Sequence, residues 1–155
     1  MPLAITLHML SAVIWVGGMF FAYMALRPVA ATLLEPPLRL TLWSKTFARF
    51  FPWVWGAVAL LPATGYWMIF GAFEGMSNIG PHVDIMQVIG LSMIGIYLYV
   101  FFLPYQRMNR AIEAKDFPAA GKQLGIIRQM IGVNLTLGII TIIVASGGAY
   151  WLNFD

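Results

Sequence analysis

From Leu3 to Leu26 the chain carries no Asp, Glu, Lys or Arg, and a single ionisable side chain, His8, interrupts the run. Crossing the hydrocarbon core of a bilayer takes about 20 apolar residues, and this stretch has that length. Lipid offers no partner to a ring nitrogen. His8 must therefore face a protein group, a metal or a wet cavity. The Met-Pro-Leu start shows no basic leader, and no small-residue cleavage pattern follows the apolar run, which predicts a retained first span.

Composition extends the same reading to the whole chain. Of 155 residues 61% are hydrophobic and 10% charged, with a mean hydropathy of +0.81; a soluble domain carries about 25% charged residues. The expected fold is an all-α polytopic membrane four-helix bundle. It forms a single domain over 1–155 with spans at about 3–26, 52–70, 82–104 and 129–151, leaving no room for a soluble domain. The absence of cysteine excludes disulfides, iron–sulfur clusters and thiolate metal sites. The remaining metal ligands are two His, ten Met and a few carboxylates and tyrosines.

The punctuation along the chain supports these spans. Arg27-Pro28 should end span one, because proline cannot continue the ladder and pushes the residue before it toward extended geometry. Leu38–Phe51 places Leu40, Trp43, Phe47 and Phe50 at helical spacing with Arg39, Lys45 and Arg49 between them. That pattern reads as a short basic interfacial helix between spans one and two, or as the start of span two. Pro62 and Gly65 fall inside span two. Asp116-Phe117-Pro118 reads as an N-cap followed by a first-turn proline, leading through Lys122 and Arg128 into span four.

All nine basic residues fall in two alternate connections: Arg27, Arg39, Lys45 and Arg49, then Arg107, Arg110, Lys115, Lys122 and Arg128. The positive-inside rule puts both connections in the cytoplasm and both termini outside. It also accounts for the net charge of +3, so the implied partner is the lipid bilayer and no nucleic acid.

Spans one and three run in the same direction, which brings His8 and His82 to matched depth near the outer face. His8, Ala12, Trp15 and Met19 share one side of span one, with Gly17 and Gly18 beside them. His82, Met86, Met93 and Tyr97 share one side of span three. Asn134, Gly138 and Thr141 form a weakly polar stripe on span four that should face inward. The plain alternative is that a helix-end histidine meets headgroups or a carbonyl, that the methionines fill core, and that the glycines serve packing.

The run Leu7-His8-Met9-Leu10-Ser11-Ala12-Val13-Ile14-Trp15-Val16-Gly17-Gly18-Met19-Phe20-Phe21, closed by Leu26-Arg27-Pro28, resembles the first span of CopD-type copper-resistance membrane proteins. Thr64-Gly65, the His82 start of span three, Tyr105-Gln106-Arg107, Ile127-Arg128 and Asn134-Leu135-Thr136-Leu137-Gly138 extend the likeness over nearly the whole chain. It implies copper handling at the inner membrane. The chain is also similar, more distantly, to the HemJ type of protoporphyrinogen oxidase, a four-span protein carrying b-type haem. Where that family has His-x-Lys, this chain reads His82-Val83-Asp84, so the histidines transfer and the lysine does not.

Three functions follow. The first is a redox protein holding haem b between spans one and three near the outer face. His8 and His82 would be axial ligands, and Trp15, Phe20, Met86 and Tyr97 the pocket. Such a protein, whether or not it is an enzyme of the oxidoreductase class, calls for a membrane or periplasmic redox partner. The second is a CopD-like copper-binding or copper-transport protein, with His8, His82 and methionines such as Met9 and Met86 as donors. The third is a cofactor-free structural or assembly subunit. A homodimer is compatible with all three. Asp84 is either a helix N-terminal charge or a carboxylate supporting the His82 ligand.

Overall fold

The computed structural model describes residues 1–72, 75 and 80–151, the side chains of 72, 149 and 151 apart. The described residues form four helical rods, Pro2–Leu33, Pro36–Gly71, Pro81–Glu113 and Phe117–Gly148, each long and apolar enough to span a bilayer. The expected four-span helical class is what the chain adopts.

The first rod runs past Arg27-Pro28. It comprises α1 (Pro2–Phe20), a π-helical segment (Phe21–Leu26) and α2 (Arg27–Leu33). A proline inside an α-helix has no N–H to give and its ring crowds the carbonyl four residues back. The wider π turn just ahead of Pro28 relieves that conflict. Pro28 then falls in the first turn of α2, where a proline is tolerated.

The second rod, α3 (Pro36–Ala72), is one helix of 37 residues with Pro52 and Pro62 inside it. Of the two readings of Leu38–Phe51, the start of span two is therefore the one that holds, and there is no separate interfacial helix over this stretch. Leu40, Trp43, Phe47, Phe51, Val54 and Ala57 are all buried. At three- and four-residue spacing they form one stripe that passes Pro52 unbroken, so nothing in the packing favours a bend into the interface. Pro52 itself points outward. Beside it, the Tyr97 hydroxyl donates to the Phe51 carbonyl at 3.2 Å, tying this part of α3 to span three.

Span three is α4 (Pro81–Phe102), started by Gly80 in extended geometry and by Pro81 in the first turn. Pro104 interrupts it, and α5 (Pro104–Glu113) follows. α5 ends in a Schellman motif: Asp116 N–H donates to the Ala111 carbonyl at 2.9 Å and Lys115 N–H to that of Ile112 at 3.0 Å. The motif needs a left-handed residue, here Lys115 with φ 56°. Such a conformation strains a residue with a Cβ by roughly 1–2 kcal/mol, part of which glycine returns as lost chain entropy. Lys115→Gly should therefore raise stability by about 1 kcal/mol, readable as a higher unfolding midpoint in detergent. The last rod, α6 (Phe117–Trp151), starts as expected, with Asp116 Oδ1 accepting from the Ala119 N–H at 3.1 Å.

α1 packs along α3, and α4 packs along α6. α6 also touches α1, α3 and α5 and so joins the two pairs. The buried core draws on α1, α3, α4, α5 and α6. At the basic end it is aromatic: the Phe51 ring lies 5.2 Å from Phe47, 5.5 Å from Tyr97, 5.8 Å from Phe101 and 4.8 Å from Tyr105.

Candidate metal-contacting site

His8 lies in the second turn of α1, half-buried against α3. Its Nδ1 is 2.8 Å from the hydroxyl oxygen of Thr64, a residue 3% exposed. That hydroxyl has one proton, and the Leu60 carbonyl accepts it at 2.6 Å. With its proton on that carbonyl, Thr64 accepts from the imidazole. This arrangement puts a proton on Nδ1, so that in the neutral ring the lone pair lies on Nε2. Gly65 completes the seat, since a Cβ there would stand 3.6 Å from His8 Cε1, in van der Waals contact with the ring. Beside it, buried Ser11 donates to the Leu7 carbonyl at 2.7 Å and so leaves no free hydroxyl proton of its own.

His82 occupies the first turn of α4 and is half-buried. It leans on α6 at Gly148, where an added Cβ would lie 2.7 Å from the His82 Cβ. Only glycine permits that approach. The His82 Nδ1 is buried and has no hydrogen-bond partner among the described residues. Both histidines thus lie toward the end of the bundle where α1 and α4 begin. His8 is held on the seam of spans one and two, and His82 on the seam of spans three and four. Among the described residues, no cluster of three or more His, Asp and Glu forms a ready-made metal cage.

The remaining expected residues divide. Trp15 and Tyr97 are both buried and meet edge to face at 6.1 Å, the contact of spans one and three. Met86 is half-buried one turn from His82. Met9 and Phe20 are 58% and 52% exposed and look toward lipid. Asp84 stands exposed in the first turn of α4, where its charge complements the helix dipole. Asn134 and Gly138 are buried as expected of the inward stripe. Sequence reasoning noted Thr64-Gly65 but gave the pair no role. Its signal was a hydroxyl and a glycine side by side in span two, at the depth of His8. Gln87, whose Nε2 donates to the Tyr66 hydroxyl at 2.6 Å, was also passed over.

Between spans one and three, Trp15, Tyr97 and Asn134 help to line a cavity of about 30 Å³, and neither histidine is among its walls.

Four apolar rods around a buried core, with imidazoles near one end, define a polytopic α-helical membrane protein. Residues 44–147, about two-thirds of the chain, match the family model of copper resistance protein D, CopD. The chain belongs to that family. The matched stretch takes in Thr64 and His82 and leaves out His8. Neither the curated proteins nor the solved structures compared with it gave a match.

Proposed function

We propose that this protein handles copper in the bacterial inner membrane, taking the ion as cargo at its histidine end through His8. The observation that carries this reading is the Thr64 hydroxyl on His8 Nδ1, which makes Nε2 the lone-pair nitrogen of the neutral ring. A hydrogen bond on the far ring nitrogen orients a ligand histidine and raises its basicity. Copper binds well to imidazole, and Cu(I) also to thioether sulfur. His82 and Met86, toward the same end of α4, are the further donors on this reading, and family membership favours copper over other ions. Asp84 remains a helix-end charge.

The purified full chain should take up Cu(I) in competition with a chromophoric chelator, and its visible spectrum should lack a Soret band. A Soret band that sharpens into α and β bands on reduction would overturn the reading in favour of haem. So would chelator titrations with no copper transferred at any ratio.

The orientation completes the proposal. With all nine basic residues in alternate connections, both termini belong on the periplasmic side, and the histidine end faces the periplasm. A periplasmic reporter fused after Asp155 should be active. Activity of a cytoplasm-only reporter at that site would reverse the orientation.

A further inference from the structure

At the opposite, basic end, three arginines come from three different helices. Arg27 opens α2, Arg39 lies near the start of α3, and Arg128 lies in the first third of α6. Arg27 and Arg128 line one narrow cleft with Trp43 and Tyr23. The Arg27 guanidinium lies over the Tyr23 ring, 4.8 Å from its centroid. Arg39 Nη1 reaches across to the Ala31 carbonyl at 3.5 Å.

Two donors in this cleft are buried without a hydrogen-bond partner among the described residues: Arg128 Nε and the indole Nε1 of Trp43. Trp43 is only 3% exposed, so water does not serve it freely. Two guanidinium groups beside orphaned donors are costly on their own. An anionic oxygen would reverse the sign of each of these terms. The cleft itself is about 10 Å³, room for an oxygen at its floor but not for a whole ligand. Toward the bilayer centre the first and last rods expose Phe20, Met24 and Val133, which suit acyl chains.

We propose that Arg27, Arg128 and the Trp43 indole form a seat for the phosphate of an anionic phospholipid, in the groove between spans one, two and four. Guanidinium donors suit phosphate oxygens through paired, charge-assisted hydrogen bonds. Basic pockets between membrane helices hold lipid headgroups in this way. The apolar wall makes the ligand a lipid and not free phosphate. The seat is independent of the histidine end and of what that end carries.

Native mass spectrometry of the full chain in detergent tests this, with phosphatidylglycerol, phosphatidylcholine and inorganic phosphate as probes. Wild type should retain phosphatidylglycerol about 10-fold or more over phosphatidylcholine, and inorganic phosphate should not displace it. Arg128→Gln should weaken phosphatidylglycerol by roughly 10–100-fold, the value of a charged hydrogen bond. Trp43→Phe keeps the ring and removes only the N–H, and should weaken it by about 3–10-fold. Lys45→Gln, an exposed charge at the same end, should change it by less than about 2-fold. Equal retention by wild type and by both cleft variants would overturn the seat. So would an equal loss in Lys45→Gln, which would mean a diffuse field, and displacement by inorganic phosphate would overturn the lipid assignment.

Discussion

His8→Ala should abolish high-affinity copper uptake by the purified protein while leaving the helical content and unfolding midpoint close to wild type. The ring is half-buried at the α1–α3 seam and its hydrogen bond goes to one hydroxyl. Its removal frees Thr64, which still donates to the Leu60 carbonyl, so the structural cost is small. The chemical cost is large. Losing only the partner of a ligand histidine lowers metal affinity by about 10–100-fold, and losing the ligand itself must exceed that. Thr64→Val supplies the graded comparison. It removes the acceptor on Nδ1 and should cost about 10–100-fold, whereas Thr64→Ser keeps the hydroxyl and should restore most of it. Chelator competition across the four proteins reads the series. Unchanged affinity in His8→Ala would remove His8 from the site.

Phe51→Ala should be the most destabilising single truncation in the aromatic core. The ring is 5% exposed and contacts Phe47, Tyr97, Phe101 and Tyr105, so it ties spans two and three together at the basic end. In a soluble protein, Phe→Ala costs about 3–5 kcal/mol. Part of that is transfer from water, and a helix separated within a bilayer meets lipid tails as apolar as the core. The cavity and the lost ring contacts remain, the latter about 0.5–1.5 kcal/mol for each pair. A loss of about 2–3 kcal/mol is expected on this reasoning. Phe51→Leu should lose less than about 1.5 kcal/mol. Reversible unfolding in mixed micelles checks both. A loss below 1 kcal/mol for Phe51→Ala would show that the cluster is filler and not the clasp.

How much of this was legible in the sequence depends on which physics was writing it. Span number follows from charge exclusion, and hydrocarbon enforces that without exception, so all four rods could be read. The Asp116 cap was legible too, because a side-chain acceptor at a helix start is a local matter. Helix ends at prolines were not. The rules that stop a helix at Arg27-Pro28 or set off Leu38–Phe51 come from chains in water, whereas here a π turn and a continuous packing stripe carry the helix through. Facing was the other gap. Met9 and Phe20 look outward because lipid and core are equally apolar, and no polarity contrast marks which side of a membrane helix is buried. Thr64 went without a role because its partner stands on another helix, 56 positions away, and hydroxyls in such helices commonly bond only their own backbone.

The π segment at Phe21–Leu26 sets a phase between the two ends of the first rod. Each residue of an ordinary helix turns the direction of a side chain by about 100°, and a π turn inserts one residue of slip. The azimuth of His8 is therefore not the azimuth that a single helical wheel would assign relative to Arg27. Deleting one residue from Phe21–Leu26 would restore the common pitch and leave Arg27 on its present side of the rod, whereas a deletion within α1 would swing Arg27 about 100° around the axis relative to the N-terminal turns. An insertion within α1 would do the same with the opposite sense. The two chemistries on this rod are indexed to one another by that slip, so a related chain without the π turn aligns with one gap there, and a gapless alignment would compare outward residues with inward ones.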